Sequence, residues 1–150
     1  MRTFESLSEL QRAVGETLGT SDWVLVDQDR INQFADATGD HQWIHVDPAK
    51  AAEGPFGTTI AHGYLTLSLL PMLTWQIYTV NGISGALNYG LDKVRFPSPV
   101  PVGSKVRATA ELTSFDEFPG GGQAVVTCTI ETEGGAKPAC VAATIVRFFA

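Results

Sequence analysis

The segment from Thr38 to Asp47 contains the residues best suited to moving protons. Within it, Asp40 and His45 are five positions apart, and Gly39 permits a sharp turn just before them. The segment is followed by Pro48, and the residue before a proline is disfavoured in the helical conformation. The sequence therefore predicts a loop after a helix, on which a carboxylate and an imidazole converge. Such a pair can accept and donate protons near neutral pH.

A second histidine in the segment, His41, opens another interpretation. His41 and His45 are four residues apart, and with Asp36 or Asp47 they could ligate a metal ion. The glycine before them and the proline after them argue against the shared helical face that this spacing requires. We therefore predict no metal site and keep proton transfer as the main hypothesis. Taken singly, each residue could instead be a turn cap or an ordinary hydrogen-bonded loop residue.

Helices are predicted on both sides of this segment. Asp27 can cap a helix over residues 28–37, and Pro48 suits the first position of a short helix that reaches Glu53. A longer helix is predicted over residues 64–75. It is apolar almost all round, so we expect it to be buried on most sides and kinked at Pro71.

Three residues near these helices have more than one interpretation. His62 could enter a pocket or make a structural hydrogen bond before the long helix. Tyr64 could line a pocket or belong to the ordinary core. Asn88 could face a second subunit or a bound substrate, and the residues do not decide between these possibilities.

Strands are predicted throughout the second half of the chain. Residues 105–112 alternate between apolar and polar side chains, residues 124–131 do the same, and a glycine-rich hairpin turn lies at 119–122. Residues 88–96 form another strand, and 140–149 are apolar on both faces, as in a central strand. A run of antiparallel strands after one long buried helix indicates an α+β hot-dog fold, in which the sheet wraps around the central helix.

Composition limits the class of protein further. Apolar residues make up 44% of the 150-residue chain and charged residues 17%, which fits a single domain over residues 1–150. The net charge of −6 argues against nucleic-acid binding. The most apolar window is too short to cross a membrane, and no signal peptide pattern begins the chain. We therefore expect a cytoplasmic location. There, Cys128 and Cys140 would remain reduced, with a disulfide between neighbouring strands as the alternative.

Three motifs occur in order along the chain: Phe34-Ala-Asp-Ala-Thr-Gly39-Asp40-x4-His45-x-Asp47, Ile60-Ala61-His62-Gly63-Tyr64-Leu65 and Val94-Arg95-Phe96-x-x-Pro99-Val100-x-Val102-Gly103. Together they resemble the MaoC-like (R)-specific enoyl-CoA hydratases, and within that family the single-domain bacterial 3-hydroxyacyl-thioester dehydratases. Agreement of three motifs in order arises by chance far less often than one motif alone.

The resemblance implies a hot-dog homodimer that hydrates trans-2-enoyl thioesters of CoA or of an acyl carrier protein to (3R)-3-hydroxyacyl thioesters, and catalyses the reverse dehydration. Asp40 and His45 would be the catalytic pair that holds one water. We expect Asp40 to be the base and His45 the acid that orients the water, with the reverse assignment left open. No metal, nicotinamide or flavin is needed.

The resemblance also assigns a role to Gly63, at the start of the central helix, where its backbone N–H would bind the developing oxyanion. A glycine needed only for close packing is the alternative. The family commonly has Asn-Pro where this chain has Gln42-Trp43, so the bracing of the loop differs and Trp43 could shape the pocket.

Two other functions stay open on the residues alone. A hot-dog acyl-CoA thioesterase would use the carboxylate to aid attack on the thioester carbonyl. A non-catalytic acyl-binding subunit would bind the ligand without turnover, although the retained spacing of Asp40 and His45 argues against it.

Overall fold

An antiparallel sheet packed against a set of short helices organises the computed structural model, which describes residues 1–150. The strands are β1 (Arg2–Phe4), β2 (Thr17–Thr20), β3 (Val24–Val26), β4 (Tyr78–Val80), β5 (Gly85–Arg95), β6 (Ser104–Phe118), β7 (Gly121–Thr132) and β8 (Cys140–Phe149). The helices are α1 (Leu7–Arg12), α2 (Gln28–Thr38), α3 (Trp43–Val46), α4 (Pro48–Ala52), α5 (Gly63–Ser68) and α6 (Leu70–Thr74).

The main sheet has the strand order β2-β6-β7-β8-β5, with β3 also paired to β6, and all these pairs are antiparallel. The predicted alternation in β6 and β7 is confirmed. One face of the sheet is buried and carries Val106, Ala108, Ala110, Leu112, Ala124, Val126, Cys128 and Ile130. Because successive side chains point to opposite faces of a strand, these apolar residues form a continuous wall of the core.

Helices α5 and α6 occupy the position of the predicted long helix. The helix is interrupted at Leu69, close to Pro71, which has no N–H to donate to the carbonyl of residue 67. Leu73 is completely buried, and burying such a side chain contributes about 1.5–3 kcal/mol. The expectation of burial on most sides was too broad, because Tyr64 and Trp75 are 71% and 73% exposed. The helix pair therefore presents one apolar face to the sheet.

The segment predicted as a loop contains one turn of helix, α3. Helix α2 begins after Asp27, whose side chain accepts the N–H of Arg30, and ends at Gly39 in the left-handed conformation, with φ of 82°. Asp47 then caps α4, with Pro48 at its start. A one-turn helix gives too little periodicity to be recognised in a sequence, and only its flanking residues were informative.

Three short strands were not predicted. β1 pairs in parallel with β4, and β2 pairs with the middle of β6, beyond the residues that pair with β3. Both cysteines are free and buried, as expected for thiols, although they lie on the neighbouring strands β7 and β8.

No helix combines the length and the apolar character that a membrane crossing requires.

Candidate active site

Three potential proton carriers converge beside the start of α5. Asp40 follows the end of α2, His45 lies on α3, and His62 is the N-cap residue of α5. The side-chain oxygen or nitrogen atoms that these residues can offer lie within 4.8 Å of one another. The fold therefore brings together Asp40 and His45, the predicted pair, and adds a second imidazole to them.

His45 is held in one tautomer. Its Nδ1 lies 2.7 Å from the backbone oxygen of Ile60, and because a carbonyl oxygen can only accept, Nδ1 must carry the proton. The neutral ring then has an unprotonated Nε2. Its side chain is buried, and this desolvation lowers the pKa of His45; the Ile60 hydrogen bond opposes the effect. The geometry thus presents Nε2 of His45 as a proton acceptor.

Asp40 is exposed, and its turn is braced by the backbone. The N–H of Gln42 donates to Oδ1 of Asp40 at 3.3 Å. Trp43 occupies the first position of α3, where proline is also well accommodated because the N–H there has no helical acceptor. The difference from the family's Asn-Pro therefore leaves the local backbone geometry feasible.

The side chain of Trp43 faces α4. A Cβ built on Gly54 would come within 2.8 Å of the indole ring, so Trp43 packs directly on that glycine. Nζ of Lys50 lies 4.9 Å from the centre of the same ring. These contacts make Trp43 a brace between α3 and α4, and it lines neither of the two cavities beside α5 and α6.

His62 is 2% exposed and contacts both members of the pair. Its Nε2–H donates to the backbone oxygen of Asp40 at 3.0 Å, and its ring stacks on His45 with centroids 3.9 Å apart at 22°. Phe34 covers the ring as well, at 4.9 Å. Its Nδ1 is buried and has no hydrogen-bond partner. His62 thus makes a structural hydrogen bond, to the backbone of a predicted site residue.

The three side chains also raise the question of a metal site. An imidazole binds a metal through a lone pair in the plane of its ring. Because the rings of His45 and His62 stack with centroids 3.9 Å apart at 22°, an ion in the plane of one ring would lie well out of the plane of the other. His41 lies apart, exposed and paired with Asp36 at 3.0 Å, and this hydrogen bond raises its pKa. The arrangement fits proton transfer better than metal coordination.

Gly63 begins α5, directly after His62. The first intrahelical bond is donated by Thr66 to the carbonyl of His62, so the N–H groups before it have no helical acceptor. A Cβ at Gly63 would lie 3.2 Å from the ring of Phe96. Close packing therefore favours glycine here, whether or not its N–H binds an oxyanion.

A cavity of about 340 Å³ lies between α5–α6 and strands β5 and β8. Asn88, Tyr78 and Thr74 line both it and a neighbouring cavity of about 200 Å³. Neither cavity is lined by Asp40, His45 or Gly63. Tyr64 lies outside both as well, and its ring meets Phe96 edge-on. Within one chain, the apolar cavities and the proton carriers thus lie along the same helix pair without joining.

Hydrogen bonds from residues that the sequence analysis did not single out hold the backbone around His45. Nε2 of Gln28 donates to the backbone oxygen of His45 at 2.7 Å, and the buried Thr59 hydroxyl donates to Oε1 of Gln28. The N–H of Ile60 donates to the oxygen of Ile44. These contacts join residues 16 to 31 positions apart, and no local sequence pattern indicates them.

Comparison with known proteins gives consistent results. Residues 9–134 match the family described as MaoC like domain. The 3-hydroxyacyl-thioester dehydratase Z of Mycobacterium tuberculosis (strain ATCC 25618 / H37Rv) is 63% identical over 151 residues and covers 100% of both chains.

Two solved structures are also similar. The (R)-hydratase from A. caviae involved in PHA biosynthesis has a TM-score of 0.73 at 30% identity and covers 89% of this chain and 94% of its own. A monoamine oxidase regulatory protein from Archaeoglobus has a TM-score of 0.80 at 24% identity and covers 99% of this chain and 96% of its own. At this identity the similarity is one of fold. This chain therefore belongs to the MaoC-like domain family and has the α+β hot-dog fold that its sequence predicted.

Proposed function

We propose that this protein adds water to trans-2-enoyl thioesters to form (3R)-3-hydroxyacyl thioesters and catalyses the reverse dehydration, with one water held between Asp40 and His45. The observation that carries the proposal is that the Asp40 carboxylate and the His45 ring lie together, within 4.8 Å, while the Ile60 hydrogen bond on Nδ1 leaves Nε2 of His45 able to accept a proton. Relatives named as a 3-hydroxyacyl-thioester dehydratase and an (R)-hydratase support the reaction class.

The proton has a defined route in this scheme. As the water oxygen bonds to Cβ, a water proton passes to Nε2 of His45 and the electron pair of the double bond moves toward the thioester oxygen. The same proton then passes from Nε2 to Cα. Asp40 orients the water and stabilises the imidazolium. The Nδ1–H bond to Ile60 supports His45 as the base, which is the reverse of our first expectation from the sequence.

The developing enolate oxygen needs a hydrogen-bond donor. Within this proposal, the donor is the backbone N–H of Gly63, at the start of α5 and next to the Asp40–His45–His62 cluster. Such preorganised donors stabilise charge that appears only in the transition state. The scheme requires no metal, nicotinamide or flavin.

We further propose that residues 1–150 act as one domain that forms a homodimer in the cytoplasm. The buried core extends from Phe4 to Phe148. Strand β5 is an edge of the sheet and exposes Leu87, Tyr89 and Leu91 by 45–51%. A long apolar edge favours pairing with another chain. The cavity of about 340 Å³ lies along the same helix pair as Asp40 and His45 but does not join them within one chain, so in this proposal it receives only the far end of the acyl chain of the CoA or carrier-protein thioester.

Two substitutions test the assignment. Asp40→Asn and His45→Gln should each slow crotonyl-CoA hydration by about 10²–10⁴-fold, because each removes a group that holds or accepts the water proton. His41→Gln is the matched control, since this exposed histidine pairs with Asp36 outside the cluster. Near-normal rates in both folded variants would overturn the proposed pair.

The same assay separates the rival functions. Loss of enoyl absorbance with formation of the (3R) product supports a hydratase, whereas release of a free thiol indicates a thioesterase. Tight binding of the enoyl thioester without any turnover indicates an acyl-binding subunit. Chiral analysis of the product distinguishes (3R) from (3S) addition.

A further inference from the structure

His62 is joined to each member of the Asp40–His45 pair by a separate contact. Its Nε2–H holds the backbone oxygen of Asp40 at 3.0 Å, and its ring stacks on His45 at 3.9 Å. We propose that His62 is a positioning residue, which fixes the Asp40 backbone and the plane of the His45 ring so that both side chains reach one water. The catalytic consequence rests on the proposed function, whereas the geometric part concerns the resting protein.

The His62 ring is itself firmly held. Phe34 of α2 packs against it at 4.9 Å, and the backbone oxygen of His62 accepts the N–H of Thr66 at 3.1 Å as α5 begins. A rigid ring packed between α2, α3 and α5 keeps Asp40 and His45 at fixed positions relative to these helices. Displacement of reacting groups by about 1 Å can cost about 100-fold in rate, so this support has a measurable consequence.

The hydrogen bonds define which part of the imidazole matters. Because the Asp40 backbone oxygen only accepts, Nε2 of His62 carries the proton, and Nδ1 remains buried without a partner. Buried polar atoms without partners are unfavourable. A phenylalanine would fill the same space without this cost, so what the imidazole adds is the Nε2–H bond to Asp40.

The stacked ring also influences the charge on His45. Burial is the main cause of the lowered pKa of His45; His62 lowers it further, while the Ile60 hydrogen bond and Asp40 raise it. Asp40 and His62 are thus the two titratable side chains that act on His45. Replacing His62 removes a contribution that lowers the pKa of His45, so that pKa should rise.

Two substitutions separate the contacts. His62→Phe keeps an aromatic ring against His45 but cannot donate to Asp40. His62→Gln places an amide N–H near the position of Nε2 but removes the stacking. We expect kcat for crotonyl-CoA hydration to fall about 10–100-fold in His62→Phe, with little change in KM, and to be partly retained in His62→Gln.

Titration of the ring signals provides a readout that does not depend on turnover. The chain contains three histidines, so selective ¹⁵N labelling gives three pairs of ring signals, which His41→Gln and His45→Gln assign. In wild-type protein we expect His45 protonated at Nδ1 and His62 at Nε2. In both His62 variants the His45 titration should move to higher pH. Ile130→Val, a buried change on β7, controls for a simple loss of stability.

The positioning role of His62 is overturned if both folded variants keep the wild-type kcat and the wild-type His45 titration. It is also overturned if kcat falls only with the folded fraction, as in Ile130→Val, while the His45 titration stays unchanged. If wild-type protein turns over no enoyl thioester, the proposed function fails, but the tautomers and titration of His45 still decide whether His62 positions it.

Discussion

Replacing Gly63 with alanine separates two reasons for a glycine at the start of α5. The new Cβ would lie 3.2 Å from Cγ and Cδ2 of Phe96, closer than the optimum of about 3.5–4.0 Å. Phe96 is 40% exposed, so its ring can move outward by a few tenths of an ångström. We expect a cost near the low end of the overpacking range of about 1–3 kcal/mol. The better helix propensity of alanine, worth up to about 1 kcal/mol, offsets part of it.

Activity should respond far more than stability. If the thioester oxygen approaches the N–H of Gly63, a methyl group beside that N–H blocks the approach. Loss of one oxyanion donor costs about 10²–10³-fold in kcat, equivalent to about 2.7–4 kcal/mol. We therefore expect Gly63→Ala to lower kcat for crotonyl-CoA hydration about 100-fold while the melting temperature shifts by only a few degrees.

A second substitution tells packing and catalysis apart. Phe96→Ala removes Cγ and Cδ2, the atoms that the new methyl group meets, so adding Gly63→Ala to Phe96→Ala should leave the melting temperature unchanged but still lower kcat. Hydration is followed by the loss of enoyl absorbance and unfolding by circular dichroism, with Phe96→Ala alone as the reference. If the double variant matches Phe96→Ala in kcat, Gly63 serves packing only and the oxyanion role is wrong.

Three further predictions concern other parts of the molecule. Because burial lowers the pKa of His45, the unfolded chain binds more protons than the folded protein just below pH 6.5. The contribution of His45 to the free energy of unfolding should therefore fall as the pH drops below 6.5. Urea titrations of wild-type and His45→Gln protein at several pH values measure the difference. Burial raises the pKa of Cys128 to about 12 and that of Cys140 to about 11. A disulfide reagent at about pH 8 should therefore label both thiols slowly until denaturant is added. Rapid labelling of the folded protein would contradict their burial. Leu91→Asp on β5 should lower the dimer fraction in sedimentation experiments, whereas Leu25→Asp, at a similarly exposed site on β3, should not; equal effects would exclude β5 as the contact.

Local sequence patterns predicted the long elements well. Alternation placed the buried faces of β6 and β7 correctly, and Asp27 and Pro48 correctly marked the starts of α2 and α4. The ordered motifs also predicted the family, which the comparisons confirm. The elements that escaped, β1, β2, β4 and α3, are three or four residues long and span too little of a period to give a signal.

The sequence by itself determined the fold class, because the hydrophobic periods of strands and helices are local, and it predicted Asp40 and His45 as a pair from their types and spacing. Tertiary structure alone decided the environment of that pair. The carbonyl of Ile60 that selects the tautomer of His45 lies 15 residues along the chain from it, and the His62 ring that stacks on it lies 17 residues along. Such contacts arise only when α2, α3 and α5 pack together. Because local hydrophobic periodicity carries no information about this packing, the sequence patterns could not predict them.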